Sequence, residues 1–399
     1  MKVFRISLLG LGFFVFILLV TRQVFAQPFL ERKIVVFKSG VLNEPARETL
    51  LKKFGGVKVK DLTLIDAKAV LLPPTSVVEL AHQGGVLRVD DDVIVEALAK
   101  GGISGKPRPT PTPTQPAETL PWGVDRIDAD LVWDITTADP IKVAVVDTGI
   151  DIKHPDLTDN LKGGISTVSY TTSYNDDNGH GTHVAGITAA VDNEIGVIGV
   201  GPKIDLYAVK VLDRRGSGYL SDVIEGLDWV IKNGVQVVNM SLGTTTDVQS
   251  FHDAVAKVNQ AGIVQVGAAG NNGGVVIYPA AYSEVIAVSA TDSTDAIASW
   301  SSRGPEVDLA APGVEIYSTY MGQTYKTLSG TSMAAPHVAG TAALLLSVPE
   351  KCDLDKDGKC TPFEVQQRLE NTAKDLGPSG KDSLYGAGLV NAYQALTAP

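Results

Sequence analysis

Beyond residue 120 the chain alternates largely apolar runs with segments of helical spacing, and few architectures accept that order. The runs at 141–146, 204–212, 235–240 and 263–266 do not show the strict in–out alternation of a strand with one wet face. Strands that read this way are buried on both faces, as in a parallel sheet covered by helices. Residues 220–232 and 251–260 carry helical spacing between the runs, and a further helix is expected after His183. Each strand–helix–strand passage returns the chain as a parallel neighbour. The expectation for residues 119–399 is therefore an α/β domain with a parallel sheet flanked by helices. Such sheets bind ligands at the carboxyl ends of their strands, so the chemistry is sought there.

Upstream, a spacer over 99–118 separates this domain from the rest. Its Pro-Thr alternation forbids helix and leaves too few donors for a sheet. Residues 27–98 read as a small α+β unit. A strand at 34–37 precedes a helix over 44–54, with Leu50, Leu51 and Phe54 apolar. An extended stretch over 57–72 follows, then a short helix capped by Thr75 and stopped at Gly84-Gly85, then an extended stretch over 86–98. That order suggests a ferredoxin-like fold. Residues 1–26 have the form of a signal peptide: Lys2 and Arg5, an apolar stretch over 6–20, and Val24-Phe25-Ala26 before the cut. An uncleaved anchor is the alternative. The rest has no run of spanning length, so a secreted protein, free of the membrane after cleavage and monomeric, is expected. The net charge of −11 argues against a nucleic-acid partner. It suits a solvated acidic surface.

Three short segments carry the chemistry. The apolar strand Val143-Ala144-Val145-Val146 ends on Asp147, followed by Thr148-Gly149. His180-Gly181-Thr182-His183-Val184-Ala185-Gly186 opens a helix with small residues around His183. Gly330-Thr331-Ser332-Met333-Ala334 opens another, where free backbone amides favour negative charge. His337 shares the serine's helix and reads as structural. Ala268-Ala269-Gly270-Asn271 ends a further strand with a side-chain amide.

These segments, in the order Asp, His, Ser, resemble the three signatures of the subtilisin family over nearly all of 119–396. The resemblance implies a serine endopeptidase. Ser332 would attack the scissile carbonyl, His183 would carry the proton, and Asp147 would orient the histidine. Asn271 and the Ser332 amide would bind the oxyanion. Gly216-Ser217-Gly218 and Ser241-Leu242-Gly243 resemble the two edges that pair with an extended protein or peptide substrate, with Gly270 beside them. Residues 27–98 resemble the family's propeptide, a folding aid and inhibitor, and self-cleavage is expected near Leu98. Leu98 and Val95 would then mark pockets that tolerate apolar side chains. A non-catalytic extracellular calcium-binding module of the same fold is the alternative.

The run from Asp353 to Glu364 fits an EF-hand loop. Asp353, Asp355, Asp357, Thr361 and Glu364 stand at the ligand positions, Gly358 at the turn, and Lys359 where a carbonyl is used. Calcium is the expected ion, with a stabilising role. Cys352 and Cys360 are close enough in sequence to clamp the loop with a disulfide. The resemblance also implies a second calcium site, from Asp156 and Asn193, with Glu118 completing it.

Overall fold

The computed structural model describes residues 29–99 and 115–399. The signal-peptide segment and most of the spacer lie outside the described residues.

The first unit runs β1 (Glu31–Phe37), α1 (Glu44–Lys53), β2 (Val57–Leu62), β3 (Ala67–Leu72), α2 (Val77–Ala81) and β4 (Val86–Asp91). Its sheet is antiparallel in the order β2-β3-β1-β4, the expected ferredoxin-like pattern. Alternation along β1 decides what each face buries. Val35 and Phe37 pack with Leu51 and Leu80 of the two helices. Ile34 and Val36 join a cluster shared with the large domain. Asn43 caps α1 by accepting from the Ala46 amide at 3.1 Å. Thr75 does not cap α2: a 3₁₀ turn, Pro74–Ser76, comes first and the helix starts at Val77.

A short strand, β5 (Ile94–Ala97), then leaves this unit. After α3 (Trp122–Arg126) the large domain continues through β6 (Lys142–Asp147), β7 (Leu161–Ser166), α4 (His180–Ala189), β8 (Asp205–Lys210), β9 (Ser217–Tyr219) and α5 (Leu220–Lys232). Next come β10 (Val237–Met240), β11 (Leu242–Gly243), α6 (Gln249–Gln260), β12 (Val264–Ala268), β13 (Ile286–Thr291) and β14 (Leu309–Pro312). The chain closes with β15 (Ile316–Tyr320), β16 (Thr324–Leu328), α7 (Thr331–Leu346), α8 (Pro362–Asn371) and α9 (Ala392–Thr397).

The main sheet has seven strands in the order β14-β13-β12-β10-β6-β8-β7, and every pairing is parallel. Successive residues of β6 serve both faces. Val143 and Val145 pack with Val184 of α4 and Val338 of α7. Ala144 and Val146 pack with Val223 of α5 and Phe251 of α6. Both faces are thus covered, which is why these strands read as unbroken apolar runs.

Candidate active site

In the order β12-β10-β6 the carboxyl ends of three neighbouring strands lie side by side. They deliver Asn271, Ser241 and Asp147 to one edge of the sheet. Two helices start there: α4 on His180 and α7 on Thr331, with Ser332 its second residue. Gly181 permits the approach of α4. A Cβ at this position would lie 2.2 Å from the Gly149 carbonyl oxygen and 3.1 Å from Asp147 Cβ.

That approach joins His180 to Asp147. Its Nδ1–H donates to both carboxylate oxygens, at 2.8 and 2.9 Å. The Thr148 amide holds the same carboxylate at 2.7 Å. With the hydrogen on Nδ1, the lone pair is left on Nε2. That atom is buried and unbonded.

The expectation for His183 is overturned. Its Nε2 donates to the carbonyls of Ile316 (3.1 Å) and Lys326 (2.9 Å). Burial lowers its pKa to about 3. It braces the β15–β16 hairpin and makes no bond to Asp147. The reason is helical geometry: a residue three positions into α4 has moved away from the helix end that meets β6. The helix also begins at His180 and not after His183. His337 is structural, as read, with Nδ1 on the Met333 carbonyl at 2.8 Å.

Ser332 Oγ donates to the Ser241 carbonyl at 2.9 Å, and Ser241 Oγ donates back to the Ser332 carbonyl at 2.9 Å. Asn271 is fixed by its oxygen, which accepts from the Thr331 amide (2.9 Å) and hydroxyl (3.0 Å). Its NH₂ therefore faces outward and donates to the Leu98 carbonyl at 2.7 Å. A Cβ at Gly330 would lie 2.6 Å from that same carbonyl oxygen, so only glycine admits it.

Leu98 arrives on β5, which lies between β9 and β11 as the middle strand of a three-stranded antiparallel sheet. Val95 pairs with Gly218 and Glu96 with Ser217 on one side. Ala97 pairs with Leu242 and Glu96 with Gly243 on the other. The Ala97 amide donates to the Gly216 carbonyl (2.9 Å) and the Leu98 amide to that of Ser241 (3.2 Å). Both expected edges thus hold an extended segment of the chain itself. Gly270 takes part indirectly: its amide bonds Thr331 Oγ1 at 3.1 Å behind Asn271.

Acidic residues stand at both expected cation sites, and those of the first meet the spacing a cation needs. Carboxylate oxygens of Asp353, Asp355 and Glu364 all lie within 4.8 Å of one another, as a hard cation with oxygen ligands requires. Asp357 lies outside that group and accepts the Lys359 amide at 2.9 Å. Thr361 caps α8 and spends its hydroxyl hydrogen on Glu364. Cys352 and Cys360 form a disulfide across the loop. At the second group, Asp156 accepts from Asn193 Nδ2 (2.9 Å) and Glu118 from the Asn193 amide (2.7 Å). Burial, with a smaller contribution from Glu118, raises the Asp156 pKa to about 6, so a cation there would relieve a real cost.

Residues 138–388 match the subtilase family. The chain belongs to that family, and it is a serine endopeptidase. It is 49% identical over 281 residues to a thermostable alkaline protease of Halalkalibacterium halodurans, covering 70% of this chain and 74% of that protein. It is 41% identical over 375 residues to subtilisin E of Bacillus subtilis, covering 92% and 90%. It is also 41% identical to the minor extracellular protease Epr of Bacillus subtilis, covering 91% of this chain and 54% of that protein. No helix among the described residues is long and apolar enough to cross a membrane.

His180, which the structure places on Asp147, was not singled out in the sequence. Its signal was position: in a His-x-x-His pair opening a helix, the first histidine stands at the helix start, the end that here meets the tip of β6.

Proposed function

We propose that the chain is the precursor of a secreted subtilisin-like endopeptidase whose triad is Asp147, His180 and Ser332, and that the strand now in its cleft is its own propeptide. The observation that carries this reading is the seat of Leu98: its carbonyl lies on Asn271 while its strand fills both substrate edges. Ser332 turns from the Ser241 carbonyl to attack the carbon of Leu98. His180 Nε2 takes the hydroxyl proton and returns it to the departing Ala99 nitrogen. Asp147 holds the imidazole tautomer and stabilises the imidazolium. Asn271 and the Ser332 amide hold the oxyanion, and water then releases the acyl group. Main-chain pairing gives affinity with little sequence selectivity, so broad specificity is expected, with apolar residues accepted at the Leu98 and Val95 positions.

The test is a denaturing gel with N-terminal sequencing of the wild-type chain and Ser332→Ala. The wild type is expected to cut between Leu98 and Ala99 and the variant to stay whole. Both remaining whole, though folded and supplied with calcium, would favour the non-catalytic module.

Two aspartates of the N-terminal unit support its role as an inhibitor. The helix α5 follows Tyr219 and α6 follows Val248, neither a good cap. Asp92 accepts from the Ser221 amide (2.8 Å) and hydroxyl (2.9 Å) at the start of α5. Asp90 accepts from the Ser250 amide at 3.1 Å at the start of α6. Arg32 buttresses Asp92 at 2.8 Å and lies over the Tyr219 ring. Losing one cap costs roughly 1–2 kcal/mol, or about a 5- to 30-fold factor. Asp92→Ala is therefore expected to weaken inhibition by the cut unit to that extent, read from the inhibition constant.

Calcium is the proposed ion at both acidic groups, held by Asp353, Asp355 and Glu364 at one and by Asp156, Asn193 and Glu118 at the other. An ion that binds only the folded state at a hundred times its Kd adds about 2.7 kcal/mol. Chelation is expected to lower Tm, and Glu364→Gln to shrink the calcium-dependent part of Tm. A Tm insensitive to calcium in both proteins would sink the assignment.

A further inference from the structure

We propose that Asp176 is a positioning residue for the Asp147–His180 pair, a carboxylate that locks the loop after β6 to the first turn of α4. The inference rests on the triad reading above. Asp176 lies four residues before His180 and is 4% exposed. Five hydrogen bonds reach it, all from donors. Its Oδ1 accepts from Thr148 Oγ1, the Asn178 amide and the Gly179 amide, each at 2.9 Å. Its Oδ2 accepts from the Thr182 amide at 3.0 Å and from Thr182 Oγ1 at 2.6 Å.

The two hydroxyls explain what this does. A threonine hydroxyl has one hydrogen, and both spend it on Asp176. Each oxygen is then left as an acceptor, and each accepts an amide from the other element. Thr148 Oγ1, on the loop, takes the Gly181 amide of α4 at 2.9 Å. Thr182 Oγ1, on α4, takes the Asp151 amide of the loop at 3.0 Å. One carboxylate thereby orients two crossed bridges between the element that carries Asp147 and the element that carries His180. Thr148 is also the residue whose amide holds Asp147 Oδ1, at 2.7 Å. Asparagine is not an equivalent. Whichever oxygen its NH₂ replaces, one hydroxyl must turn its hydrogen away and at least one backbone amide, which cannot turn, is left facing an N–H, so the geometry of the bridges is disturbed.

The experiment compares Asp176→Asn, Thr148→Val and Thr148→Ser as mature enzymes, with slow-processing variants matured by a trace of wild type. It reads kcat, KM and the low-field proton NMR signal of His180 Nδ1–H. Asp176→Asn and Thr148→Val are expected to lower kcat about 100-fold, the cost of a displacement near 1 Å in a reacting pair. KM should stay within about threefold, because substrate binding is not the function removed. The Nδ1 signal should move in both variants, and Thr148→Ser should restore kcat and signal. An unchanged kcat in Asp176→Asn overturns the proposal. So does a kcat loss with the signal unmoved, or a loss in Thr148→Ser equal to that in Thr148→Val. If Asp176→Asn does not fold, the two Thr148 variants decide alone. Activity surviving in Ser332→Ala would sink the triad itself, whatever these variants do.

Discussion

His180→Ala is expected to lower kcat roughly a millionfold, a magnitude known for subtilisin itself, while His183→Ala leaves kcat nearly intact. The two histidines share a helix turn, both are buried, and only their partners distinguish them. His180 presents Nδ1–H to a carboxylate and keeps an unbonded nitrogen. His183 also keeps an unbonded nitrogen, Nδ1, but it spends Nε2–H on two carbonyls and bonds no carboxylate. Removing His183 strands the Ile316 and Lys326 carbonyls, so its cost falls on stability, roughly 1–3 kcal/mol. Kinetics and thermal unfolding of both variants separate the roles. A large kcat loss in His183→Ala with a normal fold would overturn the assignment.

Asn271→Ala is the second large effect, a drop in kcat of about 100- to 1000-fold with little change in KM, the range known for oxyanion donors in subtilisin. The Leu98 carbonyl already lies 2.7 Å from Asn271 Nδ2. A bond to a carbonyl strengthens as its oxygen gains charge, so it contributes more in the transition state than in the bound state. The Thr331 contacts on the other side of the amide keep the donor aimed outward without substrate. Asn271→Asp should be at least as damaging, since it offers only acceptors and adds negative charge. Either variant retaining kcat within about threefold would remove Asn271 from the mechanism.

The strands legible in the sequence are buried on both faces, although β13, equally buried, was not read as a strand. β6, β8, β10 and β12 wrote themselves as apolar runs because helices cover both faces of the sheet. The edge strand β7, Leu-Lys-Gly-Gly-Ile-Ser, went unseen: two glycines leave no pattern to read, and neighbouring chain supplies its pairing. The β15–β16 hairpin was also unseen, and without it nothing indicated what His183 would touch. The placements of Asp147, Ser332 and Asn271 were legible because each ends a strand or opens a helix at the same edge. Choosing between His180 and His183 needed the helix start to within one turn, which spacing alone does not fix. Asp176 gave no signal either, since its five donors converge from residues near in sequence and from the strand tip beyond them.

Among the described residues, the hydrogen bonds and ring contacts that seat the N-terminal unit, from Arg32 on Tyr219 to Leu98 on Asn271, lie on the amino side of the bond after Leu98. The carboxyl side is anchored separately: the Glu118 and Thr119 amides bond the Glu194 and Gly196 carbonyls while Leu98 still fills the cleft. Cutting that bond therefore breaks none of these contacts. It removes a tether, and with it an effective concentration on the order of millimolar. The two pieces become partners whose separation is set by dilution and by a dissociation rate. Activity in a freshly cut sample should then depend on how concentrated the sample is and how long it has stood, even after every chain has been cleaved.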